Sequence, residues 1–479
     1  MVAAAAAPRA GSDAGVKRTH ARVALSAVAE ETAVAPFAGF RRWWEERRAE
    51  DASRVDRIPF AELRSWSFTE GTGDLVHDSG RFFQVRGAEV HRPEGPVSQW
   101  SQPLLHQPEV GILGLLAKEF DGVLHFLMQA KTEPGNRPGL QLSPTVQATL
   151  SNYSGVHGGR AVPYVEHFLH RNARRVLVDV RQSEQGSWFF RKRNRNMVVE
   201  VAGDVEVREG FRWMPLGQLH RLLAEGTGTD GTDSSVVNMD TRSILSCLPF
   251  PFDGVPRAEP SGDLLGWLTE ARSRERVRVE RVPLAGLPEW RREPDRIAHR
   301  NGSFFSIVAV RVRAGEREVT EWTQPLLRPH GVGVSAFLTK SVDGARHVLA
   351  NLRVEPGNVD VLEIGPTVQC TPENFAHLPA AAGPPLLGKV LDAPRERLLF
   401  DTVLAEEGGR FQHARSRYLV VEADDDPYEP PGHRWVPVAE LLGLMRHSHY
   451  VNVEARTLLA CLQSVCVPEP GRPGEGGGR

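Results

Sequence analysis

WSQPLL at residues 100–105 returns as WTQPLL at residues 322–327. EPGN at 133–136 returns at 355–358, and PTVQAT at 144–149 returns as PTVQCT at 366–371. All three pairs are 222 positions apart, so no gap intervenes. Between residues 98–149 and 320–371, 23 of 52 aligned positions are identical, where chance gives only a few. Outward from this segment, Asp56-Arg57-Ile58-Pro59 pairs with Glu280-Arg281-Val282-Pro283, Trp43 with Trp267, and Trp66 with Trp290. Downstream, Arg212-Trp213-Met214-Pro215 pairs with Arg434-Trp435-Val436-Pro437, and VNMDTRSILSCL at 237–248 with VNVEARTLLACL at 451–462. The chain is a tandem duplication whose copies, about 210–220 residues each, have the size of a domain. Two long copies make a pseudo-dimer, not a short-period solenoid.

Within one copy, residues 66–77, 81–90, 112–119 and 123–131 read as strands. Asp121-Gly122, and Asp343-Gly344 in the second copy, mark a tight hairpin, because such a turn needs positive φ. Residues 176–180 and 197–201 read as further strands; 215–224, with Pro215 at its start, and 234–248 read as helices. Strands first and helices late predict an α+β fold. The expected divisions are a flexible leader at 1–36, modules at 37–248 and 262–465, a linker at 249–261 and a disordered tail at 466–479.

The chain has 479 residues and 41% hydrophobic content, enough for two buried cores. Its formal net charge of −2 supplies no global basic field for nucleic acid or an anionic membrane. No apolar run approaches the ~18 residues of a spanning helix, and the Ala-rich start lacks a signal-peptide apolar stretch. Cys247, Cys370, Cys461 and Cys466 form no metal or redox spacing; Cys247 and Cys461 are counterparts on an apolar segment and read as core, consistent with a reducing cytoplasm. Walker A, dinucleotide-binding, zincin and nucleophile-elbow motifs are absent, as is the Glu-rich helix of the Nudix hydrolases.

Polar residues kept in both copies nominate a site. Alternation puts His125, Leu127, Gln129 and Lys131 on one face of the second hairpin strand, matched by His347, Leu349, Asn351 and Arg353. A repeated amide and cation on one face, followed by Glu133 or Glu355, reads as a pocket wall; a solvated sheet face is the rival. Pro134, Gly135, Pro356 and Gly357 read as turn residues, while Glu133, Asn136, Glu355 and Asn358 are pocket candidates. Thr145, Gln147 and Thr149, with Thr367, Gln369 and Thr371, present hydrogen-bonding groups in a row that suits a hydroxyl-rich ligand. Ser151, Asn152, Tyr153 and His157 follow in the first copy; Asn374 survives in the second. Arg193 and Arg195, matched by Arg415 and Arg417, are either solvated surface or a diphosphate clamp. Trp66, Trp100 and Trp322 are stacking candidates, although core packing is the commoner role of a single Trp.

WSQPLL, QAKTEPGN and PTVQATLSNY together resemble the NDP-hexose 2,3-dehydratase family of deoxysugar biosynthesis, over nearly the whole chain. The resemblance implies two Nudix-like modules without the hydrolase motif, a homodimer, a dTDP-4-keto-6-deoxy-D-glucose substrate, and neither metal nor redox cofactor. It implies a dTDP-3,4-diketo-2,6-dideoxy-D-glucose product, which a partner 3-ketoreductase intercepts, in antibiotic-type pathways. Lys131, Glu133, Tyr153 and His157 are then the acid–base candidates. Lys131 and Tyr153 face Arg353 and Phe375 in the second copy, which favours a catalytic first module, because Arg and Phe move no protons. A non-catalytic nucleotide-sugar sensor is the rival class.

Overall fold

The computed structural model describes residues 13–136, 139–149, 162–169, 175–225, 236–252, 257–314, 320–375, 383–424 and 428–466. It is an α+β protein in which every strand of the first repeat has a counterpart in the second. Each repeat carries a small five-stranded sheet and a large seven-stranded sheet. In the first repeat the large sheet is built on the strands Gly111–Phe120 and Val123–Thr132. Gly111–Phe120 also runs parallel to Arg193–Glu200. In the second repeat Gly333–Val342 and Ala345–Val354 take these places, and Arg415–Glu422 is the parallel neighbour. The hairpin turns form as the Asp-Gly pairs predict: φ is 48° at Asp121, 81° at Gly122, 50° at Asp343 and 77° at Gly344.

The repeats are interlocked. The strand Arg54–Ile58 of the first repeat does not join its own small sheet; it pairs with Phe305–Arg313 of the second, Val55 opposite Val312. Its counterpart Arg278–Val282 pairs with Gln84–His91 of the first repeat, Val279 opposite Val90. The sequence alignment found both segments, but not that they trade places.

The two EPGN turns are the second crossing. Gly135 N–H donates to Gly408 O at 2.7 Å, and Gly135 O accepts from His413 N at 2.7 Å. In mirror image, Gly357 N–H donates to Gly186 O at 2.7 Å, and Gly357 O accepts from Arg191 N at 2.8 Å. A Cβ on Gly135 would lie 1.6 Å from Phe411 O, and one on Gly357 1.6 Å from Phe189 O. Glycine is required here by close backbone approach, a physical reason for the turn role read from sequence.

One hydrophobic cluster spans both halves, joining Leu124, Phe126 and Met128 to Phe337, Val348 and Leu458. The fully buried Arg242 and Arg456 stitch the same seam. Arg242 Nη2 donates to Ala405 O at 2.6 Å, and Arg456 Nη2 to Ser183 O at 2.6 Å. Trp66 and Trp290 are both buried in a second shared cluster, and Cys247 and Cys461 lie in the first, as their pairing implied. All four cysteines are free thiols.

The leader needs correction. Asp13–Val28 is a helix, with Val23 and Ala27 buried in the shared cluster. Its buried Ser26 donates through Oγ to Leu124 O at 2.5 Å and accepts from Leu216 N at 2.9 Å. Among the described side chains of this helix, His20, Val23, Ser26 and Ala27 mark the buried stripe, with only two of them apolar, too thin to stand out in an Ala-rich stretch. Residues 1–12 and 467–479, and 253–256 of the linker, lie outside the described residues.

Replacing either turn glycine, Gly135→Ala or Gly357→Ala, is expected to cost about 1–3 kcal/mol of unfolding free energy or more, as overpacking against backbone does. Urea denaturation checks this; an unchanged midpoint for both would remove the cross-repeat docking.

Candidate active site

Lys131 is the penultimate residue of the strand Val123–Thr132, and the EPGN turn begins two residues later at Glu133. Lys131 Nζ lies 2.9 Å from Glu133 Oε1 and donates to Gln147 Oε1 at 2.7 Å. Gln147 Nε2 donates onward to Asp240 Oδ2 at 2.6 Å. Asp240 sits in the first turn of the helix Met239–Leu245, whose N-cap Asn238 accepts from Thr241 N and donates to Ser143 Oγ at 3.0 Å. A hydrogen-bonded line thus runs Glu133–Lys131–Gln147–Asp240.

These groups open on a cavity of about 200 Å³. Its wall includes Lys131, Glu133, Gln147, Thr149, Glu184, Lys192, Asn194 and Asp240 from the first repeat. Trp322, Gln324, Glu407, Gly409 and Arg410 come from the second. The cross-repeat turns explain this mixture. Gly135 holds the turn at Gly408, which places Glu407 and Arg410 over the first repeat's sheet. Gln324 Nε2 donates to Gly409 O at 2.8 Å, and Trp322 Nε1 to Gln324 Oε1 at 2.8 Å.

Four carboxylates, Glu133, Glu184, Asp240 and Glu407, face three cations, Lys131, Lys192 and Arg410. Full ionisation would leave a net negative charge among buried side chains, which favours retention of at least one proton. Burial, then the charges of Glu184 and Glu133, push Asp240 up to about 8. Burial, then Glu133, pushes Glu407 up to about 8. Burial pushes Glu184 up to about 7 against the pull of Arg456 and Lys192, and lowers Lys192 to about 8. Glu184 Oε1 accepts from Asn194 Nδ2 at 2.7 Å, while Oε2 has no hydrogen-bond partner among the described residues. Groups that exchange protons near neutrality, in one cavity, are suited to general acid–base work.

The structure sorts the sequence candidates. Lys131, Glu133, Gln147, Thr149 and Trp322 meet in the cavity. Ser151, Asn152, Tyr153 and His157 lie outside the described residues. Thr145 and Thr367 are buried clasps between strands: Thr145 Oγ1 accepts from Leu116 N at 2.9 Å and donates to Leu127 O, and Thr367 does the same with Leu338 and Leu349. Gln129 and Asn351 pair in register with Ser143 and Gly365, and neither lines the cavity. His125 on the same face is buried, and its Nε2 shares a 2.8 Å hydrogen bond with Thr32 Oγ1, so only the Lys131 end of that face is a pocket wall.

Asn136 and Asn358 pack against Gly408 and Gly186 of the opposite repeat's turns. Asn374 Oδ1 accepts from Phe304 N at 2.9 Å, and Thr371 follows the strand Val368–Cys370. Trp66 is core; Trp100 Nε1 donates to Gln102 Oε1 at 2.9 Å, mirroring Trp322. Arg195 and Arg417 form two-pronged pairs with Asp179 and Asp401 on neighbouring strands, so the clamp role is not theirs. Arg193 and Arg415 alternate with Asn194 and Ser416 on their strands. It is Lys192 and Asn194, on the other side from Arg193, that reach the cavity.

At the second repeat's equivalent place, Glu355 Oε1 accepts from Arg353 Nε at 2.9 Å, Ser187 Oγ at 2.8 Å and Gln369 Nε2 at 3.1 Å. The positions of Lys192, Glu407 and Arg410 are taken there by Ala414, Gln185 and Trp188. Among the described residues, Glu89, His91 and Glu280 are close enough to share a metal ion; they lie on the exchanged strand pair, away from the cavity. No described helix is long and apolar enough to cross a membrane.

Glu184, Lys192, Asp240, Glu407 and Arg410 were missed from sequence. Asp240 had a visible sign: it and Glu454 are the acidic pair retained in the repeated segment at 237–248 and 451–462.

A duplicated α+β chain with an acid–base cavity at its seam defines a class, proteins with a proton-transfer site built between two repeats. The family model for NDP-hexose 2,3-dehydratase matches residues 38–248 and 261–462, and the chain belongs to that family. It is 50% identical over 456 residues to a dTDP-4-dehydro-6-deoxy-alpha-D-glucopyranose 2,3-dehydratase of Amycolatopsis orientalis, covering 94% of this chain and 95% of the relative. Similar proteins with the same name occur in Saccharopolyspora spinosa, at 44% identity over 92% of this chain and 94% of the relative, and in Streptomyces violaceoruber, at 48% over 89% and 97%.

Thr145→Val strands a buried N–H and a buried carbonyl, and is expected to lower stability by about 1–3 kcal/mol. Its affinity for dTDP, measured by calorimetry, is expected to stay at the wild-type value; a lost affinity instead would return Thr145 to the binding site.

Proposed function

We propose that this chain removes water across C2 and C3 of dTDP-4-keto-6-deoxy-D-glucose, and that the cavity at Lys131 is where it does so. The observation that carries this reading is the ring of four carboxylates and three cations, several of which exchange protons near pH 7. Recognition alone has no use for such groups. The cavity is below the ~300 Å³ of sites for drug-sized ligands, so it takes the hexose and leaves the nucleotide at its mouth, where Trp322 stacks on it.

The substrate's C4 ketone acidifies C3–H, because the resulting carbanion delocalises as an enolate. Glu184, ionised as the pH rises through about 7, takes that proton. Asp240, protonated until about 8, gives one to the C2 hydroxyl, which leaves as water. The enol left at C3 then loses its O–H proton as C2 gains one, giving the 3,4-diketone. Lys131, held by Glu133 and Gln147, orients the sugar and relays protons along the line to Asp240. In the same reading each repeat is a Nudix-like module lacking the hydrolase helix. The enzyme works as a cytoplasmic homodimer in deoxysugar and antibiotic biosynthesis, and its reactive diketone passes to a 3-ketoreductase.

Product analysis with substrate, a 3-ketoreductase and NADPH tests the function: a 2-deoxy sugar is expected, and unchanged substrate refutes it. The base must be ionised and the acid protonated, so kcat/KM is expected to fall below about pH 7 and above about pH 8. The two limbs are properties of the coupled cluster. Glu184→Gln and Asp240→Asn are each expected to cut kcat by ~10²–10⁴. Lys131→Ala is expected to lose far more turnover than Arg353→Ala; equal losses would end the case for a catalytic first repeat.

A further inference from the structure

Resting on that reading, we propose that Arg410, supplied by the second repeat, holds the negative charge that develops on the C4 oxygen in the first repeat's cavity. The second repeat is then a working part of the first repeat's site. Arg410 shares the cavity wall with Glu184, Asp240 and Lys131. Its guanidinium is fixed from three sides. The Phe83 ring lies 4.5 Å beneath it, Nε donates to Gln107 Oε1 at 3.2 Å, and Nη1 donates to Gly409 O at 2.8 Å. No described residue takes a hydrogen bond from Nη2.

The backbone beneath the arginine is equally constrained. The Glu407 carboxylate accepts from Gly409 N and Arg410 N, both at 2.8 Å, and Gly408 O accepts from Gly135. A donor held this firmly reorganises little as charge appears. The other two cations are differently occupied. Lys131 is bound by Glu133 and Gln147, and Lys192 donates to Glu109 O at 2.5 Å. A guanidinium keeps its charge at every working pH, whereas a buried ammonium does not.

The chemistry needs such a charge. When C3–H breaks, its electron pair moves into the C3–C4 bond and a full negative charge reaches the C4 oxygen. When the C2–O bond breaks, the pair moves on and the carbonyl returns. Among four carboxylates that oxygen is repelled unless a fixed cation faces it. Duplication alone does not account for the arginine. The mirror-image turn carries Trp188 at this position, edge-on to Phe411 with ring centroids 4.6 Å apart.

The test uses the full chain, with wild type assayed alongside. Arg410→Ala is expected to lower kcat by ~10²–10³-fold, the loss typical of a removed oxyanion donor. Added guanidinium ion is expected to restore part of the rate, and dTDP affinity by calorimetry is expected to change less than about threefold. If Arg410→Ala does not fold, Arg410→Lys is read by the same kcat-against-affinity comparison. An unaltered kcat overturns the proposal. So does a loss of dTDP affinity with kcat kept, which would assign the arginine to the diphosphate. A wild-type chain that leaves the substrate unchanged overturns the dehydratase reading itself, and this assignment with it.

Discussion

The backbone contact between Gly135 and Gly408, with its mirror between Gly357 and Gly186, is the constraint on which the site depends. It brings a turn of one repeat to hydrogen-bond distance from the sheet end of the other. Only glycine permits the approach, since any Cβ would overlap a carbonyl oxygen. The exchanged strands Arg54–Ile58 and Arg278–Val282 make the same demand at larger scale. A core that draws on both halves completes the interlock. The cavity therefore belongs to the pair of repeats, and neither copy contains it.

Duplication gives two equivalent places, and substitution has made them unlike. Around Lys131 the wall has kept Lys192, Glu407 and Arg410, so charge is in excess and protons are shared. Around Arg353 the same positions hold Ala414, Gln185 and Trp188. There Glu355 accepts from an arginine, a serine and an amide, beside the buried carboxylates Glu406 and Glu454. What the second place lacks is a counterpart to Lys192, Glu407 and Arg410. The asymmetry in chemistry follows from a handful of side chains on a common backbone.

Much of this was legible in the sequence. The repeat, the Asp-Gly hairpins, the structural glycines of EPGN, and Lys131, Glu133, Gln147 and Thr149 as cavity residues all follow from pattern and turn chemistry. The rest was hidden for physical reasons. Sequence alignment shows that the strands at Arg54 and Arg278 match, but carries no information on which sheet each joins. Thr145 has the same alternation as Gln147, yet its hydroxyl replaces a missing ladder bond between Leu116 and Leu127. Arg195 was conspicuous by charge but is paired with Asp179; its quieter neighbours Lys192 and Asn194 face inward. Glu407 and Arg410 lie more than 250 positions from Lys131, and no local pattern links them.

The trans docking of the turns also shapes how the two copies diverge. Asn136 packs against Gly408, and Asn358 against Gly186, so each EPGN answers to the opposite half and not to its own. Compensating changes should therefore correlate crosswise: residues 133–136 with 406–413, and 355–358 with 184–191. Such a pattern of coevolution within a single polypeptide would mimic that of two interacting subunits.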